Sequence, residues 1–589
     1  MNLTLTPAGA PVKPASEMRP PPPAARPARL VKASMLAIAA VFFTLHFVHL
    51  QADFPNHSPW SDWSKYTDEG WYGDAAIRHY QLGHWYVPGD FNPAAALPVW
   101  PAIELALFRF TGVGLTAARA LTVTVFGLIM ASCYLLIRRW PGPENPSRHT
   151  PNGAGNFTAG SIAPALTVLL LAISPYCFAF MRLAILEPPL VLLALAALLA
   201  ASTAGRSSSP SWPLALGLLL PLIVLTKTTG VFLFPSIFYL LWAATGYRLR
   251  PTLKVSLISA TTAALLWCAY YLLFVRPHYL IDYRYLFSAN AYTGVTADTF
   301  WSVLGDTISD EMWIGETLSV LALVALLFVL ALLCTRRCRS NPLAAALLLW
   351  VFGYGGFVAY HANLQPRYYL VLAVPLIMLV AMVFEWALLA VLNAWPGTRK
   401  PVGRARVSAL LLTSATAISA TALLFVIVNG ARMTLGFLLH PEYQFVTAAD
   451  QIRDAIDRES AADPHHPRLL LSISGADLSL IAGLPSICDD FGTMTLPGRV
   501  AAYRPGWFAT WNDVEDDKME SLAPLYRLVR VGEWPAFDDP ERNLLILYRL
   551  DPVASPGPPG RPGRRRSLSV PHRLRTKIGE QPTVRQLKH

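Results

Sequence analysis

Two adjacent carboxylates, Asp68 and Glu69, stand in the run Thr67-Asp68-Glu69-Gly70-Trp71-Tyr72, with Asp62 and Asp74 close by. The stretch around them is dense in aromatics: Trp60, Trp63, Trp71, Tyr72, Trp85 and Tyr86. A carboxylate can take the proton of an attacking hydroxyl. Trp and Tyr rings favour a membrane interface, and they also stack on the apolar C–H faces of sugars. An interfacial helix with solvated acids uses the same residue types. Three more places set a charge beside apolar sequence. Arg182 and Glu187 flank Leu183-Ala184-Ile185-Leu186. Pro188 and Pro189 follow Glu187, which puts this acid at a helix start, where the dipole favours a carboxylate. Lys227 lies in Leu225-Thr226-Lys227-Thr228-Thr229-Gly230. Lys among hydroxyls and Gly suits phosphate, although the Gly spacing is not that of a P-loop. Arg367, in Gln365-Pro366-Arg367-Tyr368-Tyr369, can grip a phosphate through its bidentate fork. Each place also has a plain structural use: an Arg182–Glu187 pair, a snorkelling Lys227, an interfacial anchor at Arg367 and Tyr368.

The elements that must position these residues are membrane helices. Of 589 residues, 54% are hydrophobic and only 14% charged, against about 25% charged in a typical soluble domain. That excludes an ordinary cytosolic enzyme, a disordered chain and a nucleic-acid binder. The net charge of +11 resides in the tails: five Lys/Arg against one Glu in residues 1–33, and nine against two acids in 551–589. The body between is neutral, so the basic balance says nothing of a basic substrate. Eleven apolar runs predict spans near 33–49, 115–137, 160–181, 188–204, 213–226, 230–246, 254–275, 315–335, 342–360, 369–393 and 407–430. The shorter ones must pack inside the protein to serve as spans.

With a cytoplasmic N-terminus, the strong basic clusters before the C-terminal region all fall inside. They include Arg138/Arg139/Arg148, Arg248/Arg250/Lys254, Arg336/Arg337/Arg339 and Arg399/Lys400/Arg404/Arg406, as the positive-inside rule requires. A crossing at 98–114 would invert this order. That stretch, with Glu104 and Arg109, reads instead as a helix on the outer surface or re-entering. The four charged places then share the outer face. Acids plus separate cations on one face fit a site that activates a hydroxyl and holds a phosphate. The domain reading is a disordered tail over 1–32, a transmembrane catalytic domain over 33–430 with its first outer loop at about 51–114, an outer α/β domain over 431–550, and a disordered basic tail over 551–589. Helical periodicity runs through 442–458, and strand-like runs cover 468–474, 526–531 and 544–548. The fold class is thus a polytopic α-helical membrane protein of about 11 spans with a small C-terminal α/β domain. The six Cys are scattered; Cys334 and Cys338 form a lone C-x3-C, too few ligands for zinc.

The order of these motifs resembles the GT-C glycosyltransferases that use polyprenyl-phosphate sugars, among them the protein O-mannosyltransferases and the lipid A aminoarabinose transferases. The likeness rests on Asp68-Glu69-x-x-Tyr72; on Gly83-His84-Trp85-Tyr86-Val87-Pro88; on the Pro-rich stretch from Leu97-Pro98 to Phe110-Thr111-Gly112; on Ala118-Arg119; on Leu186-Glu187-Pro188; and on Leu225-Thr226-Lys227 through Gly230. It covers roughly residues 33–430. The aminoarabinose enzymes carry Glu-Lys-Pro-Pro before the juxtamembrane helix, where this chain has Asn92-Pro93-Ala94-Ala95-Ala96-Leu97-Pro98. Neither that sugar nor its metal site therefore follows from the resemblance.

What the resemblance implies is an inverting sugar transfer on the extracytoplasmic face of the inner membrane. The donor is a polyprenyl-phosphate sugar and the acceptor a hydroxyl on a lipid, glycan or protein. Asp68 is the expected base, with Glu69 as helper or orienter. Arg367 and Lys227, and more weakly Arg182, would meet the phosphate. Trp71, Tyr72 and Trp85 would pack on the sugar, with Tyr368 also in the substrate site. Glu187 would bind a hydroxyl, or a divalent metal ion jointly with Asp68. Two other functions use the same features: a transporter or flippase of lipid-linked sugars, and a sensor whose outer domain binds a ligand. Transporters place their charges near the bilayer midplane, whereas these cluster at outer helix ends.

Overall fold

The computed structural model describes residues 25–140, 161–289, 301, 313–334, 341–360, 365–394, 404–512, 515–539 and 542–553. Most of both basic tails, and the inner clusters at Arg148, Arg336 to Arg339 and Arg399–Lys400, lie outside the described residues. The membrane part is helical throughout, and each of the eleven apolar runs coincides with helix. By length and composition, seven helices among the described residues can cross a membrane. Three shorter apolar helices accompany them.

The first helix, α1 (Ala25–Leu45), starts eight residues before the expected tail boundary at 33. The first outer loop then carries two helices, α2 (Asp68–Leu82) and α3 (Val99–Thr111). At 13 residues, α3 is too short for a perpendicular span. It packs on α2 and reaches the start of α4 (Leu115–Arg139). The next run is broken into α5 (Ala163–Ile173) and α6 (Pro175–Phe180) by Ser174-Pro175. Pro175 cannot donate to the helix. Ser174 N donates to the carbonyl of Leu171 at 3.3 Å in its place; Cys177 N turns to Ser174 Oγ at 3.2 Å, and the carbonyl of Ile173 accepts from Thr434 Oγ1 at 2.9 Å. Such internal partners are what tolerate a break at membrane depth. Although short, α5 is buried almost throughout between α1, α4 and the long helix Leu370–Ala394.

Helix α7 (Glu187–Ala204) is central and packs against α4, α8 (Ser211–Thr226) and α9 (Phe234–Ala244). Its all-round apolar sequence matches burial on every side. By contrast, α10 (Leu249–Tyr270) exposes Leu253, Leu257 and Leu265. In a membrane protein that face meets lipid. A π-helical stretch at Tyr271–Tyr279, containing Pro277, joins α10 to α11 (Leu280–Ala289). There Asp282 accepts from Tyr86 Oη at 2.6 Å and from Asn92 Nδ2 at 3.0 Å. The segment after α10 thereby pins the far end of the loop that carries α2.

The C-terminal domain follows the 36-residue helix Arg404–Leu439. Its strands are β1 (Leu470–Leu471), β2 (Ser486–Ile487), β3 (Trp507–Trp511), β4 (Tyr526–Pro535) and β5 (Leu544–Pro552), in the order β2-β1-β3-β5-β4. The β2-β1-β3 half is parallel and the rest antiparallel. The sequence pattern finds β1, β4 and β5 but not β2, which is two residues long, nor β3. Every residue of Trp507-Phe508-Ala509-Thr510-Trp511 is buried, so no alternation marks it as a strand. Tyr66 of the first outer loop enters this domain's core, edge-on to Trp511 and Phe537 at 5.4 and 5.0 Å. Asp53 accepts from Phe445 N at 2.8 Å and Val446 N at 3.2 Å, capping the helix Gln444–Ala462. The domain is thus built around the first loop.

Candidate active site

Asp68 and Glu69 open the first turn of α2, where unpaired N–H groups favour negative charge. The two side chains then part. Asp68 is 2% exposed. Its Oδ1 accepts from Thr67 Oγ1 at 3.1 Å, and its Oδ2 lies 2.9 Å from Arg367 Nη2. Burial raises the Asp68 pKa, and the nearby Arg367 guanidinium opposes that rise. Arg367 also bonds Asp62 twice, through Nη1 and through its backbone N at 2.8 Å. Asp62 in turn accepts from Ser64 N at 2.8 Å and caps the short turn Trp63–Lys65. One guanidinium therefore spans two carboxylates of the first loop. It is presented by the 3-10 turn Pro366–Tyr369 that starts the buried helix Leu370–Ala394.

The second cation stands across a ring. The Tyr368 ring has Arg367 Cζ 4.9 Å and Lys227 Nζ 4.3 Å from its centroid, within cation–π range. Lys227 occupies an extended position between α8 and the 3-10 turn Thr228–Leu233. It bonds Glu187 Oε1, and Glu187 Oε2 is buried without a hydrogen-bond partner. Tyr72, one helical turn beyond Asp68, adjoins the cluster. Burial, then the Asp68 charge, pushes its phenol well above the usual range, so it remains a neutral hydroxyl. The structure thus brings together Asp68, Tyr72, Glu187, Lys227, Arg367 and Tyr368, all indicated by sequence, and adds Asp62 as the anchor of Arg367.

Glu69 faces elsewhere. It accepts from Arg119 Nε at 2.8 Å, from Arg119 Nη2 at 2.5 Å and from Ala184 N at 2.9 Å. Arg119 Nη1 also donates to the carbonyls of Leu50, at 2.8 Å, and Ala52. This buried fork ties α2 to α4, to the start of the first loop and to the segment before α7. Removing one partner of such a pair leaves a buried uncompensated charge. Glu69→Gln is expected to lower stability on the order of 3 kcal/mol. Thermal unfolding in detergent measures this, and an unchanged transition temperature would exclude the anchoring role.

Arg182 and the two tryptophan rings have other partners. Arg182 Nη2 donates to the carbonyls of Val48, at 2.8 Å, and His49, with the guanidinium over Phe178 at 4.4 Å. It does not pair with Glu187. Trp71 donates to Ile473 O at 2.9 Å and packs edge-on to Phe91 and Phe491 at 5.0 and 5.3 Å. Trp85 lines a small cavity with Asp74 and Ala75 of the middle of α2, and with Asn92 and Tyr279. Gly83 ends α2 in the left-handed region, with φ +79°, where only Gly turns without strain.

A divalent metal was an expectation for Asp68 and Glu187. Asp68 Oδ2 faces the guanidinium of Arg367 and Glu187 Oε1 the ammonium of Lys227, where a further cation would be repelled. Among the described residues no group of three or more His, Cys, Asp or Glu is arranged to hold a metal. Two more buried acids back the site. Glu104 of α3 has no hydrogen-bond partner for either oxygen. Burial, then the Glu69 charge, raises its pKa well above the carboxylate range. Asp477 of the outer domain accepts from Gly70 N at 3.2 Å. Neither gave a motif in the sequence.

No protein-family model and no curated protein matches the sequence. Among solved structures the chain aligns with ArnT from Cupriavidus metallidurans in the apo state. The TM-score is 0.55 at 15% identity, covering 88% of this chain and 98% of that one. The same protein bound to undecaprenyl phosphate gives 0.52 at 16% identity, with 87% and 97% covered. At such identity the likeness is one of fold.

Proposed function

We propose that this chain is an integral-membrane glycosyltransferase that moves a sugar from a polyprenyl phosphate to an acceptor hydroxyl on the extracytoplasmic face. The observation that carries this reading is the Asp68–Arg367 pair at 2.9 Å, with Lys227 across Tyr368, in a chain of this fold. Asp68 takes the proton of the acceptor hydroxyl as its oxygen attacks the anomeric carbon. The bond from that carbon to the phosphate oxygen breaks, and the electron pair leaves on the phosphate. A single displacement inverts the anomeric centre. One negative charge thus passes from Asp68 to the phosphate, which gains it as the carboxylate loses it. Arg367, freed of part of its pairing with Asp68, meets the growing phosphate charge together with Lys227. Such cations act most strongly where charge develops. Tyr368 holds the two cations apart, and Glu187 keeps Lys227 in place. Glu69 and Asp62 position the machinery. Trp71, one turn along α2 from Asp68, turns its indole to Ile473 of the C-terminal domain, and Trp85 packs near the end of the first loop.

The test is mass spectrometry of glycolipids and glycoproteins from cells with the gene, without it, and with Asp68→Asn. A hexosyl or pentosyl increment that requires Asp68 is the expected result. Identical glycans in all three would overturn the reading.

The orientation has its own check. The basic loops place the first outer loop and the outer domain outside. Asp454, on the helix Gln444–Ala462, is 63% exposed; Ser472 is buried and unsuited to labelling. A Cys at position 454, in a cysteine-free background, is expected to react with an impermeant maleimide in intact spheroplasts. Reaction only after lysis would place the domain in the cytoplasm.

A further inference from the structure

The outer domain has the sheet geometry that elsewhere makes a ligand crevice. From β1 the chain passes through the helix Gly475–Ala482 to β2 on one side, and then through the helix Leu496–Tyr503 to β3 on the other. Both neighbours run parallel to β1. In open α/β sheets, ligands bind outside the carboxyl ends of the strands where the winding reverses. Here that place is occupied by the chain itself. The start of α2, immediately after Asp68, presses into the segment beyond β1. Gly70 N donates to Asp477 Oδ1 at 3.2 Å, and Trp71 Nε1 donates to Ile473 O at 2.9 Å. Further along α2, Gln81 Nε2 donates to Ser479 O at 3.1 Å. The approach at Gly70 is a backbone contact. A Cβ there would lie 2.1 Å from Ala476 C and 2.2 Å from Asp477 N, which excludes every other residue.

The receiving side is rigid. Trp511 Nε1, from the end of β3, donates to Ser474 Oγ at 2.9 Å, and Ser474 N donates to Ser472 Oγ at 3.2 Å. Asp477 is itself buried, with Oδ2 lacking a hydrogen-bond partner. Removing it would leave the Gly70 N–H, one of the unpaired donors of the first turn of α2, without its acceptor.

We infer that the outer domain is the positioning element of the reaction: through Asp477 it holds the Gly70 backbone and through Ile473 the Trp71 indole, and with them the Asp68 carboxylate two residues before Gly70, in register with Arg367. The crevice that would take a small ligand takes the catalytic helix instead. Asp477 touches no substrate and acts through Gly70. This rests on the reading of Asp68 as the base, and the test separates the two.

The variants are Asp477→Ala, Asp477→Asn and Asp68→Asn in full-length protein in nanodiscs. The readouts are sugar transfer at saturating and limiting polyprenyl-phosphate sugar, binding of polyprenyl phosphate, and amide hydrogen exchange of residues 66–73. Asp477→Ala is expected to lower kcat about 10-fold or more, since displacements near 1 Å cost up to about 100-fold. Donor KM and lipid binding should stay within about threefold, because the phosphate cations are untouched. Exchange at 66–73 should quicken while that of β5 does not. Asp477→Asn keeps an acceptor oxygen for Gly70 N and should restore both kcat and protection. If Asp477→Ala fails to fold, Trp71→Phe removes the bond to Ile473 while keeping the ring, and the same split is expected on a smaller scale. Unchanged kcat and exchange in Asp477→Ala, loss of kcat without faster exchange, or failure of Asn to rescue would each overturn the inference. Full activity in Asp68→Asn would instead overturn the assignment of the base, whatever Asp477 does.

Discussion

Asp68→Asn is expected to lower transfer ~10²–10⁴-fold, the usual cost of losing a general base, in a protein that still folds and inserts. The fold should survive because Arg367 keeps its two bonds to Asp62, so no buried cation is orphaned. Asn preserves the shape and the contact with Thr67 but cannot accept a proton at neutral pH. The pH dependence adds a second, independent sign. Burial raises the Asp68 pKa, and only the ionised form can act as base. Rate should therefore fall as pH drops through a value above the ~3.9 of a free Asp. Arg367 favours the ionised form, so Arg367→Ala should move this acid limb to higher pH. Purified Asp68→Asn turning over like wild type, or an acid limb at or below the free-Asp value, would remove Asp68 from its role.

The sequence sets these charges at apolar helix ends but does not say which pairs with which. Asp68, Lys227 and Arg367 stand out because a charge at an apolar helix end is costly and needs a reason. Their convergence in one cluster follows from helix ends that share a face. The pairings were hidden by separation along the chain. Asp62 meets Arg367 across 305 positions and Gly70 meets Asp477 across 407. No local pattern encodes such distances. The expected local pair, Arg182 with Glu187, does not form: Arg182 turns to backbone carbonyls and Glu187 to Lys227. Two charges five residues apart around a helix start need not face each other, because Pro188 and Pro189 set the axis of α7 and carry Glu187 with it. Composition alone does not say what the rings of Trp71 and Trp85 pack against. Aromatic content says that a ring will be buried against something; here the partners are Phe91 and Phe491 for Trp71, and the loop end for Trp85. The helices were legible because their apolar runs are long. In the outer domain, β3 was not, because a strand buried on both faces loses the alternation that identifies it.

Arg367→Ala is expected to lower transfer ~10²–10³-fold, the scale for removing one charge-stabilising group from a preorganised site. The physical reason is the movement of charge. In the resting site Arg367 serves Asp62 and Asp68; in the transition state Asp68 is gaining a proton and the phosphate an electron pair. A cation placed between them stabilises the later state more than the earlier one, so the loss should appear in kcat as well as in donor KM. Arg367→Lys should recover only part of the rate. An ammonium is a point charge, and it cannot bond Asp62 while reaching a phosphate through a second planar N–H. Lys227→Ala should cost less in kcat, because Lys227 stays paired with Glu187, but it strands a buried carboxylate and should also lower stability. The measurement is donor kinetics in nanodiscs for the three variants, with thermal unfolding as the folding control. If Arg367→Ala weakens donor binding alone and leaves kcat intact, Arg367 holds the ground-state phosphate only, and charge does not pass to it from Asp68. If all three turn over donor like wild type, the phosphate lies away from this cluster. Arg182 is then the cation to test, since among the described residues it lies within ion-pair distance of no carboxylate.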